Sequence, residues 1–347
     1  MIKYFASQRV VDSQLRTIGM EFFHRRAEEN HYIQQSVDGG RETNALLGSY
    51  FLGLPCDQPH DIKKKFINFP ANLITRGIPC HYPNTAFVIE ILESAIPEKK
   101  LGSAITKLKA DGFLFAIDDF TLDDGLGWFI KYVDIVKVCF KKNNRLDCKH
   151  IARTMDRTKC KLIAEKIESV EDFKIAKEAG YHYFQGYLFG KPVLNKIIDI
   201  PVLAATRADI DQFAIDCNIK IKKVEDLIAR DIGFFIKFIR FIKMHVQCHD
   251  IHIRTIKQGL YYLGEDRIKK MIELIIAVKE HKETNIRDNP IAYEVNTADI
   301  IPNRSDLSLD EYLSMGLHYV ETQYGINREE FMESLFLSER QKAVFRG

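Results

Sequence analysis

Six short apolar runs in the first 190 residues each deliver a polar side chain at or near their C-terminal end. FINF (66–69) carries Asn68 and AFVIEIL (86–92) carries Glu90. FLFAIDDF (113–120) carries the pair Asp118 and Asp119, VDIVKVCF (133–140) carries Lys137, KLIAEKI (161–167) carries Glu165, and Gln185 follows YHYF. Polar groups buried in the middle of a strand are costly, whereas the C-terminal strand ends of a β/α barrel are where chemistry is done. Four carboxylates and an amide oxygen converging there repel one another unless a cation neutralises them, and hard oxygen donors suit Mg²⁺ or Mn²⁺. Such a set points to a two-metal site, whose commonest use is phosphoester hydrolysis. Any one of these residues taken alone is more simply a helix cap or half of an ion pair. Six successive strand ends are harder to explain that way.

The elements that must position them follow from periodicity. Up to about residue 200, β-rich apolar runs alternate with amphipathic stretches, the rhythm of a parallel sheet or closed barrel. Helices are expected at Lys99–Ala110, Lys149–Asp156 and Val170–Ala179, the last ending on Gly180. Beyond residue 200 the apolar residues recur at helical spacing, as in Val224, Leu227, Ile228, Phe235, Phe238, Ile239 and Ile242, and again in Ile268, Met271, Ile272, Ile275 and Ile276. The expected architecture is an α/β TIM-type barrel over residues 1–195 followed by an all-α domain over 202–347. The boundary is placed at Lys191–Pro201, where Pro192 and Pro201 disfavour regular structure. A second break is expected over 284–308, before a final helix pair.

Composition limits the function classes. The 347 residues carry 50 Lys and Arg against 48 Asp and Glu, a net charge of +2 that excludes a general electrostatic nucleic-acid binder, so no DNA partner is expected. Seven widely spaced cysteines with no CxxC pair support neither a disulfide framework nor a zinc site, and reduced thiols in the cytoplasm are expected. The N-terminal MIKYFASQRVV has no apolar signal region, and no run approaches the roughly 18 apolar residues of a membrane span.

At this point the residues resemble a family. SQRVVDSQLRTIGMEFFHR is similar to the first strand of the EAL domain, with Glu21-Phe22-Phe23 in place of Glu-Ala-Leu and Arg25 four residues after the glutamate. FINF, VIEILE, AIDDF, DIVKV, LIAEKIES and FQGYLFGKP continue the pattern with Asn68, Glu90 and Glu93, Asp118 and Asp119, Lys137, Glu165 and Glu168, and Gln185, over about residues 1–192. The resemblance implies a modified TIM-type barrel that hydrolyses cyclic di-GMP to its linear dinucleotide with two ions, Mg²⁺ or Mn²⁺. It implies that Glu21, Asn68, Glu90 and Asp118 hold one ion, and that Asp118, Asp119 and Glu165 turn toward a second. By the same resemblance Lys137 holds the attacking water, Glu165 accepts its proton, Arg25 contacts a phosphate oxygen, and Gln185 with Gln8 places the ligand. Glu93 and Glu168 support the loop after Asp119, and a homodimer through the barrel is implied.

The chain departs from that pattern in places. Phe120-Thr121-Leu122-Asp123-Asp124 stands where the family has Phe-Gly-Thr-Gly, Cys139 replaces an aspartate, and Phe22 and Phe23 are expected to narrow the floor under the guanine base. The helical half resembles the HDOD domain over about residues 222–278, implying an interaction or regulatory module with an unknown protein partner. Two readings follow: a phosphodiesterase, or a silent EAL-HDOD scaffold or cyclic di-GMP receptor, which the rebuilt loop favours. An unrelated barrel enzyme such as an aldolase would need a clustered Gly-rich phosphate loop near 165–190, where only Gly180, Gly186 and Gly190 occur. His249-Asp250 reads as a loop pair, and Lys63-Lys64-Lys65 as a solvated run. The Phe234, Phe235, Phe238, Phe241 stripe reads as core, with Lys237, Arg240 and Lys243 in solvent.

Overall fold

The computed structural model describes residues 2–25, 64–85, 87–92, 94–122, 125–216, 220–245, 253–277 and 308–334. These fall into two compact units, one of residues 4–25 and 64–195, the other of residues 2–3 and the described residues from 196 onward.

The opening segment is expected to be one strand and is two. β1 (Ile2–Asp12) and β2 (Thr17–Arg25) form an antiparallel hairpin. The turn follows from Asp12, whose Oδ1 accepts from the backbone N–H groups of Gln14 at 2.9 Å and Arg16 at 3.0 Å, while Leu15 adopts φ 64°. Six parallel-sheet strands come next: β3 (Lys64–Phe69), β4 (Val88–Ile91), β5 (Leu114–Phe120), β6 (Ile135–Cys139), β7 (Lys161–Glu165) and β8 (Tyr183–Phe184). The hydrogen-bonded order is β2-β3-β4-β5-β6-β7-β8-β1, and β1 pairs β2 as well, so eight strands close on themselves. β1 runs antiparallel to both β2 and β8, whereas the pairs from β2 to β8 are parallel. Closure pairs every strand of the ring on both sides, β1 meeting β8 only at Val11 and Asp12.

Between the parallel strands lie the helices that the rhythm requires. Lys99–Ala110 and Val170–Ala179 occur as expected, the latter capped by Ser169 and ended by Gly180 at φ 95°. The third begins at Arg145 rather than Lys149, because the Asn144 side chain accepts from Leu146 and Asp147 N–H and starts the helix one turn earlier. Lys191–Pro201 is not irregular: β9 (Val193–Ile198) fits between the two prolines and adds to the sheet beside β1. Proline bounds this strand instead of interrupting it.

The barrel interior is built in layers of period two. Val10, Phe66, Val88, Ala116, Ile135 and Ile163 form one buried apolar layer, with Tyr183 packed against it and Gly19 under the Phe66 ring. A Cβ at Gly19 would lie 2.9 Å from Phe66 Cε2. One pleat repeat toward the C-terminal ends of the parallel strands, the same eight strands present Glu21, Asn68, Glu90, Asp118, Lys137, Glu165 and Gln185. Antiparallel β1 contributes Gln8, two residues before Val10. The apolar layer is therefore the floor, and the polar layer the mouth. Phe22, next to Glu21, faces the opposite side of β2 and packs on Phe5 with ring centroids 5.9 Å apart, so of the two phenylalanines expected to narrow the floor under the guanine base only Phe23 shares the Glu21 face.

From residue 199 onward the described residues contain helices and no strand: Ala204–Asp216, Ile221–Arg230, Ile232–His245, Ile256–Ala277, Leu309–Tyr324 and Arg328–Ser334. Gly264, at φ 71°, breaks the fourth. Phe234, Phe235, Phe238 and Phe241 are fully buried, as their spacing predicts. Lys237 and Arg240 are not solvated, contrary to expectation. Lys237 Nζ donates to Asp199 Oδ1 at 2.9 Å and to Ile200 O at 2.7 Å, so its charge is met inside the core. Residues 246–252 and 278–307, and with them His249-Asp250 and the expected break, lie outside the described residues. No helix among the described residues is long and apolar enough to cross a membrane, and Cys80, Cys139, Cys148 and Cys160 are free thiols.

Candidate active site

Lys137 stands at the centre of the mouth. Its Nζ lies 2.7 Å from Glu90 Oε1, 2.8 Å from Asp118 Oδ1, 2.8 Å from Glu165 Oε1 and 3.1 Å from Glu21 Oε2. Register explains how one lysine reaches four strands. Lys137 lies opposite Ile163, and Glu165 opposite Cys139 two residues further on, so the long side chain rises from below into the plane of the carboxylates. Glu21 is likewise set one step low, paired with Phe66, and Asn68 is paired with Glu90. Gln185 Nε2 donates to Glu21 Oε2 at 2.7 Å and to Gln8 Oε1 at 3.2 Å, and Gln8 Nε2 donates to Gly190 O at 2.9 Å.

The electrostatics are severe. If all four carboxylates are ionised, Lys137 leaves three negative charges uncompensated in a site where every partner is buried. Burial pushes the Glu21 and Glu90 carboxyls above their ordinary range and Glu165 up to about 8, with Lys137 pulling each of them back. Burial alone favours neutral Lys137, but the four carboxylates outweigh it and hold its pKa well above the ordinary lysine value.

These residues fit a divalent cation. Oxygens of Glu21, Glu90 and Asp118 lie within 4.8 Å of one another. Asn68 Oδ1, Glu90 Oε2, Glu165 Oε2 and Gln185 Oε1 are buried without a hydrogen-bond donor. Uncompensated charge together with orphaned hard oxygens is the donor chemistry of a hard divalent cation.

The remaining expected residues divide. Asp119 is at the mouth but faces away from Lys137. Lys166 Nζ meets its Oδ1 at 2.9 Å and Lys142 Nζ its Oδ2 at 2.9 Å, and these ammonium groups hold the carboxyl below its ordinary range despite burial. Glu168 pairs with Lys141 at 2.6 Å near the surface. Arg25 is placed by its backbone on β2, opposite Tyr4, but its side chain lies outside what is described, as do Glu93, Asp123 and Asp124. Sequence reasoning missed Lys166, Lys142 and Asn143. Buried Asn143 donates to Phe120 O and Cys139 O, each at 3.0 Å, tying the ends of β5 and β6 together. None of the three has a spacing signal; only the adjacency of Lys166 to Glu165 could have pointed to it.

Fold and site together define an eight-stranded α/β barrel with one antiparallel strand and a carboxylate cage at its C-terminal strand ends. Within that class, residues 63–192 match the EAL domain family. Over 277 residues the chain is 30% identical to the cyclic di-GMP phosphodiesterase CdgJ of Vibrio cholerae, an alignment covering 79% of this chain and 64% of that protein. It is 27% identical to the uncharacterized protein YuxH of Bacillus subtilis, covering 78% and 67%. The chain thus spans just under two thirds of the length of the first of these relatives. Among solved structures it is similar to an EAL domain protein of Listeria monocytogenes, at 20% identity and TM-score 0.45, covering 55% of this chain and 89% of that one. It is also similar to the Bacillus subtilis YkuI protein, at 16% identity and TM-score 0.44, covering 79% and 72%.

Proposed function

We propose that the chain is an EAL-type phosphodiesterase that hydrolyses cyclic di-GMP to the linear dinucleotide with two divalent ions, Mg²⁺ or Mn²⁺. The observation that carries this is the buried cage of Glu21, Glu90, Asp118 and Glu165, which Lys137 alone leaves short of cations. Glu21, Asn68, Glu90 and Asp118 would hold one ion, and Asp118, Asp119 and Glu165 the other. Bound there, the ions would supply Lewis acidity to the scissile phosphate and acidify water. Glu165, at the C-terminal end of β7 and 2.8 Å from Lys137, is the proton acceptor. Lys137 offsets negative charge developing on the phosphate, and Arg25 contacts a phosphate oxygen. Gln8 and Gln185, locked to each other and to Glu21, orient the ligand. Glu93 and Glu168 brace the segment after Asp119, and the helical unit serves as an HDOD-like module for a protein partner. The test is to incubate the protein with cyclic di-GMP and Mg²⁺ or Mn²⁺ and follow the linear dinucleotide. Turnover by the parent and none by Glu21→Ala is expected; no turnover by the parent overturns the reading.

A second reading, a catalytically silent receptor or scaffold, is favoured by one observation: Asp119, which the reaction would use, is clasped by two lysines. Cyclic di-GMP binding without turnover supports it.

A further inference from the structure

The two acidic groups of the mouth are met by cations in different ways. Lys137 is fully buried and has four carboxylates to serve. Asp119 is one carboxylate with two ammonium groups. Lys166 Nζ contacts both its oxygens, at 2.9 and 3.2 Å, and Lys142 Nζ contacts Oδ2 at 2.9 Å. The cage shares one ammonium group among four carboxylates, whereas Asp119 is met by two.

Backbone conformation sets up this second arrangement. Asp119 (φ 50°) and Lys166 (φ 56°) both adopt the left-handed region, which L side chains disfavour. The β5–β6 register shifts between Ile117 and Phe120, on either side of Asp119, and such an irregularity re-aims a side chain. Asp118 consequently meets Lys137 while its neighbour meets Lys166. The residue adjacent to Glu165 thus places an ammonium group at the edge of the cage, on the aspartate that a second ion would need. Lys166 retains 33% exposure of its side chain against 0% for Lys137, so it has solvent into which to withdraw and Lys137 has none.

Resting on the metal-dependent reading above, we propose that Lys166 is a cationic latch on Asp119. The chain takes its first divalent ion at Glu21, Glu90 and Asp118, and a second only when Lys166 leaves Asp119. An incoming ion there must displace one ammonium group and approach another around a single carboxylate, whereas at the first site the one Lys137 ammonium is outweighed by four carboxylates. The latch makes occupancy of the second site, rather than the first, the step that responds to divalent-ion concentration.

The test is an Mn²⁺ titration of the full chain by calorimetry, with bound ions counted by electron paramagnetic resonance and no nucleotide present. The unaltered protein is expected to bind two ions in separate phases, the second weaker. Lys166→Met, which removes the charge and keeps the bulk, should tighten the second phase about tenfold and leave the first unchanged. Lys166→Gly, which also relaxes the left-handed backbone, should do the same, and Lys166→Arg should behave as the parent. Two ions of equal affinity in the parent, or a second phase unmoved in Lys166→Met and Lys166→Gly, would overturn the latch and leave the phosphodiesterase reading standing. No Mn²⁺ bound by the parent or any variant would overturn both.

Discussion

Gln185 Nε2 and Glu21 Oε2 are 2.7 Å apart although 164 residues separate them in the chain. The hydrogen bond joins a residue just past β8 to the middle of β2, and Gln8 on β1 accepts from the same amide. Strand β1 lies between β8 and β2 in the ring, so one amide spans the seam at which the barrel closes. The orientation of a caged carboxylate thereby depends on closure itself.

Replacing Gln185 with leucine should loosen the cage without emptying it. Glu21 keeps Lys137 but loses the donor that fixes its rotation. A supporting hydrogen bond of this kind is worth about 10- to 100-fold in metal affinity. Mn²⁺ titration of Gln185→Leu should show the first-site affinity reduced within that range; an unchanged affinity would mean the amide does not orient Glu21.

Lys137→Met should be the most damaging single change to the cation-free barrel. It leaves Glu21, Glu90, Asp118 and Glu165 with no counter-ion in a buried site, and breaking a buried pair this way costs about 3–5 kcal/mol. Urea unfolding in EDTA should show that loss, and added Mg²⁺ should restore more stability to the variant than to the parent.

The pH dependence has a definite sign. Glu165 is raised from 4.5 to about 8 in the folded chain, so its favourable contribution is complete below about pH 4.5 and fades as pH rises through about 8. Glu21 and Glu90 shift in the same direction. Without divalent ions, Tm should therefore fall between pH 5 and pH 9, and Mn²⁺ should flatten the decline because it favours the ionised cage. A Tm that rises across this interval in EDTA would contradict the assignment.

In the helical unit, Asp231 joins two segments. Its Oδ1 accepts from Phe234 N–H at 3.0 Å, and its Oδ2 from Leu203 N–H at 2.9 Å. Asp231→Ala removes the cap of Ile232–His245 together with its tie to residue 203, at a cost of about 1–2 kcal/mol. Chemical denaturation should report it, and Asp231→Asn should recover part of the loss.

Much of the barrel was legible because two periods coincide. Residues such as Ile163 and Glu165, or Val88 and Glu90, are one pleat repeat apart, so an apolar floor and a polar mouth are written into the same strand. The helix Val170–Ala179 was legible from Gly180, whose left-handed φ ends it. The hairpin was not, because Asp12 acts through its side chain on backbone N–H groups, and no apolar pattern marks that turn. Nor was the burial of Lys237, since a lysine on a helix reads as solvated until a partner such as Asp199 is found opposite it.

By itself, the amino-acid sequence determined which residue types stand at the strand ends, that apolar residues beyond residue 200 recur at helical spacing, and that the strand-end carboxylates outnumber the one strand-end lysine. Only the tertiary structure decided how those charges pair. Lys137 and Lys166 are equivalent as letters, yet one is buried among four carboxylates and the other clasps Asp119. Strand register, the break in β5–β6 pairing and the left-handed backbone at Asp119 and Lys166 set the direction of each side chain, and none of these is a property of a residue read alone.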